Sequence, residues 1–324
     1  MKEEAISILK KYHQEHILEY NLSEKQQQEL EKQILSIDFE QLQNLYESTK
    51  QEKVIEEKKI EHIPYTDKAK MPKEQEQELA NIGTEVIKQG HYAVITMAGG
   101  QGTRLGHKGP KGTYALDTVN GKKYIFEIII DKLKKAKEEY GVTIPWYVMT
   151  SKDNHDETVW FLENNNYFGY EKDKIKFFKQ GELPLIDTQG RVILDENVRI
   201  KEAADGNGGI YEAFAKSGLL DELKQKQTDW IFVSGIDNIL SNFVDPILLG
   251  LTIKENNVIA SKSVAKAYPQ EKAGVFCKMN GKPKIIEYID LPEEMAEELA
   301  ENGELMYGDV NIGTYLYNRS VLEN

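Results

Sequence analysis

The spacing of apolar residues before residue 90 is typical of amphipathic helices. Apolar side chains recur at roughly helical intervals on an otherwise charged surface, at Leu30, Ile34, Ile37, Leu42 and Leu45. Ser23 and Gln26 have the spacing of a capping box, and residues 72–88 form a further helical stretch that ends before Gly90. We therefore predict a helical segment over residues 1–88 that packs one apolar stripe onto the main domain. A partner-binding arm is the alternative.

After residue 90, short apolar runs alternate with amphipathic stretches. The runs predict strands buried on both faces over residues 92–97, 144–149, 175–178, 230–234 and 258–261. The stretches between them predict helices over residues 125–140, 153–164, 209–217, 219–226 and 244–255. This order predicts an α/β domain over residues 89–324, with a mixed, mostly parallel sheet flanked by helices and with ligands at the carboxyl ends of its strands. Asn120-Gly121 and Asn280-Gly281 predict two antiparallel hairpins within it.

Composition and charge limit the classes of partner. The 324 residues carry a formal net charge of −13, which argues against a broad electrostatic surface for nucleic acid or anionic lipid. Cys277 is the only cysteine, so an intramolecular disulfide and a thiolate metal cluster are both excluded. No apolar run approaches the length of a membrane span. We expect a cytoplasmic protein with small-molecule partners, no nucleic-acid partner and no membrane association, and the sequence leaves its oligomeric state open.

A glycine-rich loop follows the first predicted strand of the α/β domain. Residues 97–112 read MAGGQGTRLGHKGPKG and combine six glycines with Arg104, Lys108 and Lys111. Glycines let backbone N–H groups approach a phosphate, and cations offset the charge that accumulates in phosphoryl or nucleotidyl transfer. The dinucleotide fingerprint is excluded because Leu105 stands where it needs glycine, and the P-loop is excluded because Gly-Lys-Ser/Thr is missing. The loop favours an anionic ligand over a generic glycine turn.

The string GGQGTRLG followed by PKG resembles the signature of the UDP-sugar pyrophosphorylase family, especially its UDP-N-acetylglucosamine pyrophosphorylase branch. The likeness continues in family order through IPWYVMTS, YFGY, FFKQG, DGNGGIY, GIDNIL, IEY and VNIG. It implies a Rossmann-like fold of nucleotide-sugar transferase type. It also implies an enzyme that forms a UDP-sugar and pyrophosphate from UTP and a sugar 1-phosphate. N-acetylglucosamine 1-phosphate is the expected sugar substrate, with glucose 1-phosphate and galactose 1-phosphate as alternatives.

The resemblance assigns one set of positions to the nucleotide and its phosphates. By similarity, the nucleotide-binding residues are Met97, Ala98, Gly99, Gly100, Lys111, Gln180, Gly206 and Asp237. Arg104 and Lys111 would meet the phosphates, and together with Asp237 they form the expected catalytic set. Asp237 follows a predicted strand, where a carboxylate can bind Mg²⁺ beside phosphates, so Mg²⁺ is the expected cofactor and Asp237 its ligand. A helix N-cap is the plainer alternative for Asp237.

The resemblance assigns a second set of positions to the sugar. By similarity these are Asn207, Glu287, Tyr288 and Asn311, with Glu287 in the strand after the second hairpin. The stretch around Asn311 departs from the family's Asn-rich pattern, and Thr314 stands where the eukaryotic branch has a second asparagine. The assignment to N-acetylglucosamine therefore rests on fewer residues than the assignment to uridylyl transfer.

The family normally continues past the position that corresponds to Asn324, and it supplies further strands and lysines that contact the substrate phosphates. We therefore expect this chain to lack the family's C-terminal region. A non-catalytic regulator that binds uridine nucleotides is the alternative function that follows if those lysines are missing.

Overall fold

The structure is a computed structural model that describes residues 1–50, 59–119 and 121–323. In chain order its helices are α1 (Glu3–Lys11), α2 (Glu24–Ser36), α3 (Phe39–Lys50), α4 (Lys73–Lys88), α5 (Ile125–Tyr140), α6 (His155–Asn164), α7 (Ile210–Lys216), α8 (Leu219–Gln225), α9 (Pro246–Lys254) and α10 (Glu293–Glu297). Its strands are β1 (Ile60–His62), β2 (Tyr92–Met97), β3 (Ala115–Thr118), β4 (Gly121–Tyr124), β5 (Trp146–Thr150), β6 (Ile175–Lys179), β7 (Glu182–Pro184), β8 (Glu202–Ala204), β9 (Trp230–Gly235), β10 (Ile259–Ala265), β11 (Val275–Met279), β12 (Lys282–Ile286) and β13 (Asp309–Asn318).

The chain forms two compact units. The first unit comprises Met1–Glu56 and Gly181–Gly208, and the second comprises Glu57–Gln180 and Gly209–Asn324. The boundary predicted between residues 88 and 89 differs from this division, because α4 belongs to the second unit and packs against α9 there. The two helix backbones approach closely, since a Cβ on Gly83 would lie 2.0 Å from the carbonyl oxygen of Pro246.

In the first unit, α1, α2 and α3 contribute to a small apolar core. Its fully or almost fully buried members include Ala5, Leu9, Leu30, Ile34, Val192 and Ile200. The predicted capping box of Ser23 and Gln26 is present at the start of α2. Leu45, by contrast, is exposed. The N-terminal apolar stripe therefore packs on a segment, residues 181–208, that the sequence pattern places in the α/β domain.

The segment over residues 181–208 contains two turns with the same hydrogen-bond pattern. Asp187 and Asp195 each accept bonds from the backbone N–H groups two and four residues later, and from the side chain of the arginine four residues later. The left-handed position is Gly190 in the first turn (φ 81°) and Val198 in the second (φ 60°). A β-branched residue rarely adopts that conformation, so the second turn is strained.

A mixed sheet forms the centre of the second unit. Within the described residues it has nine strands in the order β1-β11-β13-β9-β2-β5-β6, with β10 beside β13 and β12 beside β11. Strands β9, β2, β5 and β6 run parallel to their neighbours in that group, and the remaining pairings are antiparallel. The predicted α/β class with a mixed, helix-flanked sheet is confirmed, and the antiparallel share is larger than expected.

Helices cover both faces of the parallel strands. Val94 and Phe232 belong to a core shared with α5 and α9, and Ile95 and Val233 belong to a core shared with α7 and α8. Successive residues of a strand point to opposite faces, so a strand between two helical layers is apolar at most consecutive positions. The continuous apolar runs that predicted β2, β5 and β9 have this physical origin.

The antiparallel part of the sheet departs from the sequence prediction at one strand. β10 pairs with β13 and is exposed or half-buried along its length, so the prediction of a strand buried on both faces over residues 258–261 is wrong. The Asn280-Gly281 hairpin is confirmed, with φ of 52° and 77° at the two turn residues between β11 and β12. Asn120 lies outside the described residues, whereas β4 begins at Gly121 and pairs antiparallel with β3.

Candidate active site

Four loops leave the sheet at the carboxyl ends of its parallel strands. Strands β5 and β6 lie on one side of β2 and β9 lies on the other, so the direction of strand order changes beside β2. Ala98 N–H donates to the Met149 carbonyl at 2.7 Å, and Ile236 N–H donates to the Met97 carbonyl at 3.0 Å. These bonds hold the loops after β2, β5 and β9 side by side. Ligands of open α/β sheets bind in the crevice at such a position.

The glycine-rich loop after β2 folds back on itself. Gly102 N–H donates to the Gly109 carbonyl at 2.9 Å, and Lys111 N–H donates to the Gly100 carbonyl at 3.1 Å. The loop is therefore closed, and the side chain of Lys111 lies beside Gly100, since a Cβ on Gly100 would lie 3.8 Å from Lys111 Nζ. The ammonium of Lys111 therefore lies close to the carboxyl end of β2, where the loop begins.

Lys111 and Asp237 form an ion pair at this crevice. Lys111 Nζ donates to Asp237 Oδ2 at 2.7 Å. The lysine side chain is 13% exposed, whereas the aspartate side chain is 64% exposed and remains accessible to a ligand. Asp237 does not cap the next helix, because α9 begins at Pro246 and Asp245 is its N-cap. Two of the three predicted catalytic residues are therefore in direct contact.

Gln180 contacts the glycine-rich loop after leaving β6. Its N–H donates to the Thr150 carbonyl at 2.8 Å. A Cβ on Gly99 would lie 2.3 Å from Gln180 Oε1, so a larger residue at position 99 would displace the amide. The crevice thus brings together most of the predicted nucleotide-binding residues, namely Met97, Ala98, Gly99, Gly100, Lys111, Gln180 and Asp237.

Arg104 is not part of the Lys111–Asp237 ion pair. It is exposed on a short 3₁₀ turn, Thr103–Leu105. Across residues 1–50, 59–119 and 121–323, it has no hydrogen bond or ion pair to hold it in one place. The structure therefore does not bring the third predicted catalytic residue against the other two.

Two of the predicted sugar-binding residues lie on either side of Gly274. Asn311 N–H donates to the Gly274 carbonyl at 2.9 Å, and a Cβ on Gly274 would lie 3.0 Å from Glu287 Oε1. Glu287 directly follows β12, so its predicted place within a strand is wrong by one residue. Tyr288 is next to it and is 44% exposed. Three of the four predicted sugar residues are therefore neighbours at one end of the antiparallel strands.

Strand β13 places Asn311 and Thr314 in different surroundings. Asn311 is half-buried, and its Oδ1 accepts two hydrogen bonds from its own strand. Thr314 is fully buried, and its hydroxyl lies 3.2 to 3.4 Å from polar side-chain atoms of Ser234, Asn238 and Ser241. Thr314 therefore ties β13 to the loop after β9, and it does not take the place of a second exposed asparagine.

Gly206 and Asn207 belong to the first compact unit. Gly206 has a φ of 84°, and Asn207 is exposed at the start of the 3₁₀ turn Asn207–Gly209. Asp205 N–H donates to the Gly181 carbonyl at 3.1 Å, which joins the two ends of the segment over residues 181–208. This geometry fixes the two residues locally, and their roles toward the nucleotide and the sugar stay predictions.

Two further side chains hold the loops of the crevice, and sequence reasoning missed both. Asn154 is fully buried, and its Nδ2 donates to the Ala98 carbonyl at 2.9 Å. Lys132, on α5, donates to the carbonyls of Ile239 and Ser241 in the loop after β9, and burial lowers its pKa. A Ser-x-x-Asn spacing directly after β5 was an available signal for Asn154, whereas the helical pattern of α5 does not distinguish Lys132 from its surface lysines.

The described residues offer neither a preformed metal cage nor a membrane-crossing helix. Over residues 1–50, 59–119 and 121–323, no three His, Cys, Asp or Glu side chains are grouped so that they would hold a metal ion. The helices in this part of the chain lack the length and apolar character that crossing a bilayer requires.

Comparison with known proteins identifies the family of this chain. A family model described as UTP–glucose-1-phosphate uridylyltransferase matches residues 37–311. The chain belongs to this family. The predicted resemblance is therefore confirmed, and the matched range includes every predicted site residue.

Relatives of this uridylyltransferase-family chain include UDP-N-acetylglucosamine pyrophosphorylase of Saccharomyces cerevisiae, 37% identical over 246 residues that cover 75% of this chain and 51% of the relative. UDP-N-acetylglucosamine diphosphorylase 2 of Arabidopsis thaliana is 35% identical over 264 residues, which cover 77% of this chain and 52% of the relative. The crystal structure of the uridine diphosphate N-acetylglucosamine pyrophosphorylase from Trypanosoma brucei matches with a TM-score of 0.81 and 29% identity, covering 100% of this chain and 68% of that one. The chain spans about half the length of the curated relatives that it matches.

Proposed function

We propose that this member of the uridylyltransferase family transfers the uridylyl group of UTP to a sugar 1-phosphate. A phosphate oxygen of the sugar 1-phosphate forms a bond to the α-phosphorus of UTP, and the bond from that phosphorus to the bridging oxygen of the β-phosphate breaks. The products are a UDP-sugar and pyrophosphate. The observation that carries the proposal is the Lys111–Asp237 ion pair beside the closed glycine loop.

The residues of the crevice would align two polyanions and offset their repulsion. The ammonium of Lys111 would exchange its bond to Asp237 for one to a phosphate oxygen, and the backbone N–H groups near Gly99 and Gly100 would approach the nucleotide closely. The amide of Gln180 offers a donor and an acceptor to the uracil edge. Alignment and electrostatics of this kind need no covalent intermediate with the protein.

Asp237 fits the role of a Mg²⁺ ligand. Mg²⁺ is commonly held by one or two carboxylates together with substrate phosphates, and the side chain of Asp237 is 64% exposed after β9. Asp237 would hold the ion, and Mg²⁺, when bound, would neutralise charge on the phosphates. Because the described residues provide no metal cluster, the affinity for Mg²⁺ would depend on the nucleotide.

N-acetylglucosamine 1-phosphate is the sugar substrate that we favour, by analogy with the relatives. Glu287 and Asn311, on either side of Gly274, would bind the sugar hydroxyl or N-acetyl groups, with Tyr288 beside them. Glucose 1-phosphate and galactose 1-phosphate are the alternatives, because the buried Thr314 provides no second exposed amide. The single cysteine, Cys277, is a buried free thiol, which fits the reducing compartment proposed for this activity, the cytoplasm.

The test of this function is a product assay on the 324-residue chain and on the protein translated to its natural stop codon. Each is incubated with UTP, Mg²⁺ and, separately, the 1-phosphates of N-acetylglucosamine, N-acetylgalactosamine, glucose and galactose, and UDP-sugar is measured by chromatography. We expect UDP-N-acetylglucosamine to form fastest. If another sugar 1-phosphate reacts fastest, the proposed reaction stands and the proposed sugar substrate is wrong. If both proteins bind UTP and neither forms product, the proposed enzyme activity is wrong and the protein is a nucleotide-binding regulator.

A further inference from the structure

Asn154 occupies the space between the loop after β5 and the glycine-rich loop. Its side chain is fully buried. Nδ2 donates to the carbonyls of Ala98 at 2.9 Å and Gly100 at 3.4 Å, and Oδ1 accepts from Ser151 N–H at 2.9 Å. The backbone N–H of Asn154 donates to Ser151 Oγ at 3.2 Å. All functional groups of the amide are therefore engaged, and two of its bonds go to the loop after β2.

A bond to a carbonyl also sets the direction of the N–H in the same peptide unit, because the two groups lie on opposite sides of a planar trans peptide. Asn154 binds the carbonyls of Ala98 and Gly100, so the N–H groups of Gly99 and Gln101 point away from Asn154. In the described part of the chain, no acceptor is found for these two N–H groups or for that of Gly100. Neighbouring N–H groups without internal acceptors form a concavity that binds anions.

The glycine-rich loop also lies against the charged and polar groups of the crevice. Gly99 lies against the amide of Gln180, and Gly100 lies beside the ammonium of Lys111. A shift of the loop would therefore change the position of its N–H groups relative to both side chains. Asn154 adds two side-chain bonds to the backbone bond from Ala98 N–H to the Met149 carbonyl, so its loss should let the loop shift.

We infer that Asn154 is a positioning residue for nucleotide binding, which holds the glycine-rich loop so that its N–H groups, Gln180 and Lys111 face one ligand. The inference rests on the proposed function. It assigns Asn154 no contact with the substrate: the residue acts through the backbone of Ala98 and Gly100. Loss of the two donated bonds should therefore weaken UTP binding in protein that is still folded.

Asn154→Asp is the discriminating variant. It keeps the size of the side chain and the acceptor for Ser151, and it replaces Nδ2 by an oxygen that repels the carbonyls of Ala98 and Gly100. Asn165→Asp is the matched control. Asn154 directly precedes α6 and Asn165 directly follows it, and Asn165 Nδ2 donates to the Phe161 carbonyl at 2.8 Å. Both variants are compared with the unaltered 324-residue chain by calorimetric titration with UTP, by thermal melting, and by the amide NMR shifts of ¹⁵N-glycine-labelled protein.

We expect the Kd for UTP to rise about tenfold or more in Asn154→Asp and to stay within about twofold in Asn165→Asp. The UTP-induced shifts of Gly99 and Gly100 should shrink in the first variant alone. A folded Asn154→Asp protein with unchanged Kd and unchanged glycine shifts would overturn the inference. If Asn154→Asp does not fold, Asn154→Ser, which keeps one short donor, should also bind UTP more weakly, and equal affinity would likewise overturn it. An unaltered chain that binds no UTP would refute the proposed function itself.

Discussion

The ammonium of Lys111 lies 2.7 Å from the carboxylate of Asp237, although the two residues are 126 positions apart in the sequence. Lys111 lies in the closed glycine loop after β2, and Asp237 lies in the loop after the neighbouring parallel strand β9. Pairing of these two strands sets Met97 opposite Gly235, so the loops that carry the ion pair start at the same level of the sheet. Under the proposed function, this contact holds the cation proposed for the phosphates beside the carboxylate proposed for Mg²⁺.

Replacement of Lys111 by Ala should lower kcat by about 10²–10³-fold, because the cation proposed to contact the phosphates is lost. The variant is made in the form of the protein that yields UDP-sugar in the product assay. Steady-state kinetics with UTP and the preferred sugar 1-phosphate would measure the change. Lys108→Ala is the control, since Lys108 is an exposed lysine of the same loop. Equal kinetics for Lys111→Ala and Lys108→Ala would remove Lys111 from the proposed catalytic set.

Gly99→Ala should raise the KM for UTP by about tenfold or more, because its Cβ would lie 2.3 Å from Gln180 Oε1 and displace the amide. Gly100→Ala is the comparison variant. Its Cβ would meet Lys111 at 3.8 Å, which is ordinary contact, so the increase in KM should be smaller. Initial rates at varied UTP concentration distinguish the two. A larger effect at position 100 would contradict the contact between Gly99 and Gln180.

Val198→Asn should stabilise the protein by about 1 kcal/mol, because asparagine tolerates the left-handed conformation that strains a β-branched residue. The φ of Val198 is 60°. Gly190→Val makes the opposite change at the equivalent position of the first turn. It should destabilise the protein, since φ is 81° and a Cβ there would lie 2.4 Å from the Tyr46 ring. Urea unfolding would measure both, and a loss of stability in Val198→Asn would refute the strain.

Asp245 should make the free energy of unfolding depend on pH. Burial raises the pKa of Asp245, but its ion pair with Lys262 and its bonds to the first N–H groups of α9 outweigh burial and leave the pKa below its ordinary value. A lowered folded-state pKa stabilises the protein above the unfolded-state pKa of about 3.9, and this contribution is lost as pH falls through the lower folded-state value.

Asp245→Asn should therefore cost about 1–2 kcal/mol of stability at pH 7, and the difference from the unaltered protein should shrink below about pH 4. Urea unfolding at several pH values would measure it. Asp117→Asn, which removes an exposed carboxylate on β3, serves as the control. A difference for Asp245→Asn that stays constant between pH 7 and about pH 3 would show that its charge does not stabilise the fold.

The sequence predicted the parts of the fold that depend on local pattern. Strands β2 and β9 are apolar at consecutive positions because helices cover both their faces, and α5 has the bounds that its periodicity predicts. The association of α1 to α3 with the segment over residues 181–208 depends on contacts such as that between Gln14 Nε2 and the Gly190 carbonyl, which are 176 positions apart. Local pattern contains no information on such a pairing.

The candidate site also has residues that the sequence marks and residues that it does not. Lys111, Gln180 and Asp237 stand in motifs that mark them in the sequence, and the structure brings them to one crevice. Asn154 and Lys132 act on backbone carbonyls of distant loops, and a bond to a carbonyl imposes no residue type on its partner. It is therefore easier to identify from the sequence the residues that would bind a ligand than the residues that hold the ligand-binding loops in place.

The groups proposed to bind the sugar and the groups proposed for nucleotide transfer lie in different parts of the sheet. The groups proposed for nucleotide transfer stand at the ends of the parallel strands, whereas Glu287 and Asn311 stand on or beside the antiparallel ones. Under the proposed function, changes on or beside the antiparallel strands can alter the sugar preference without touching the groups that align the phosphates. The phosphate-aligning groups would then be inherited unchanged, so divergence in sugar preference needs no reinvention of the chemistry.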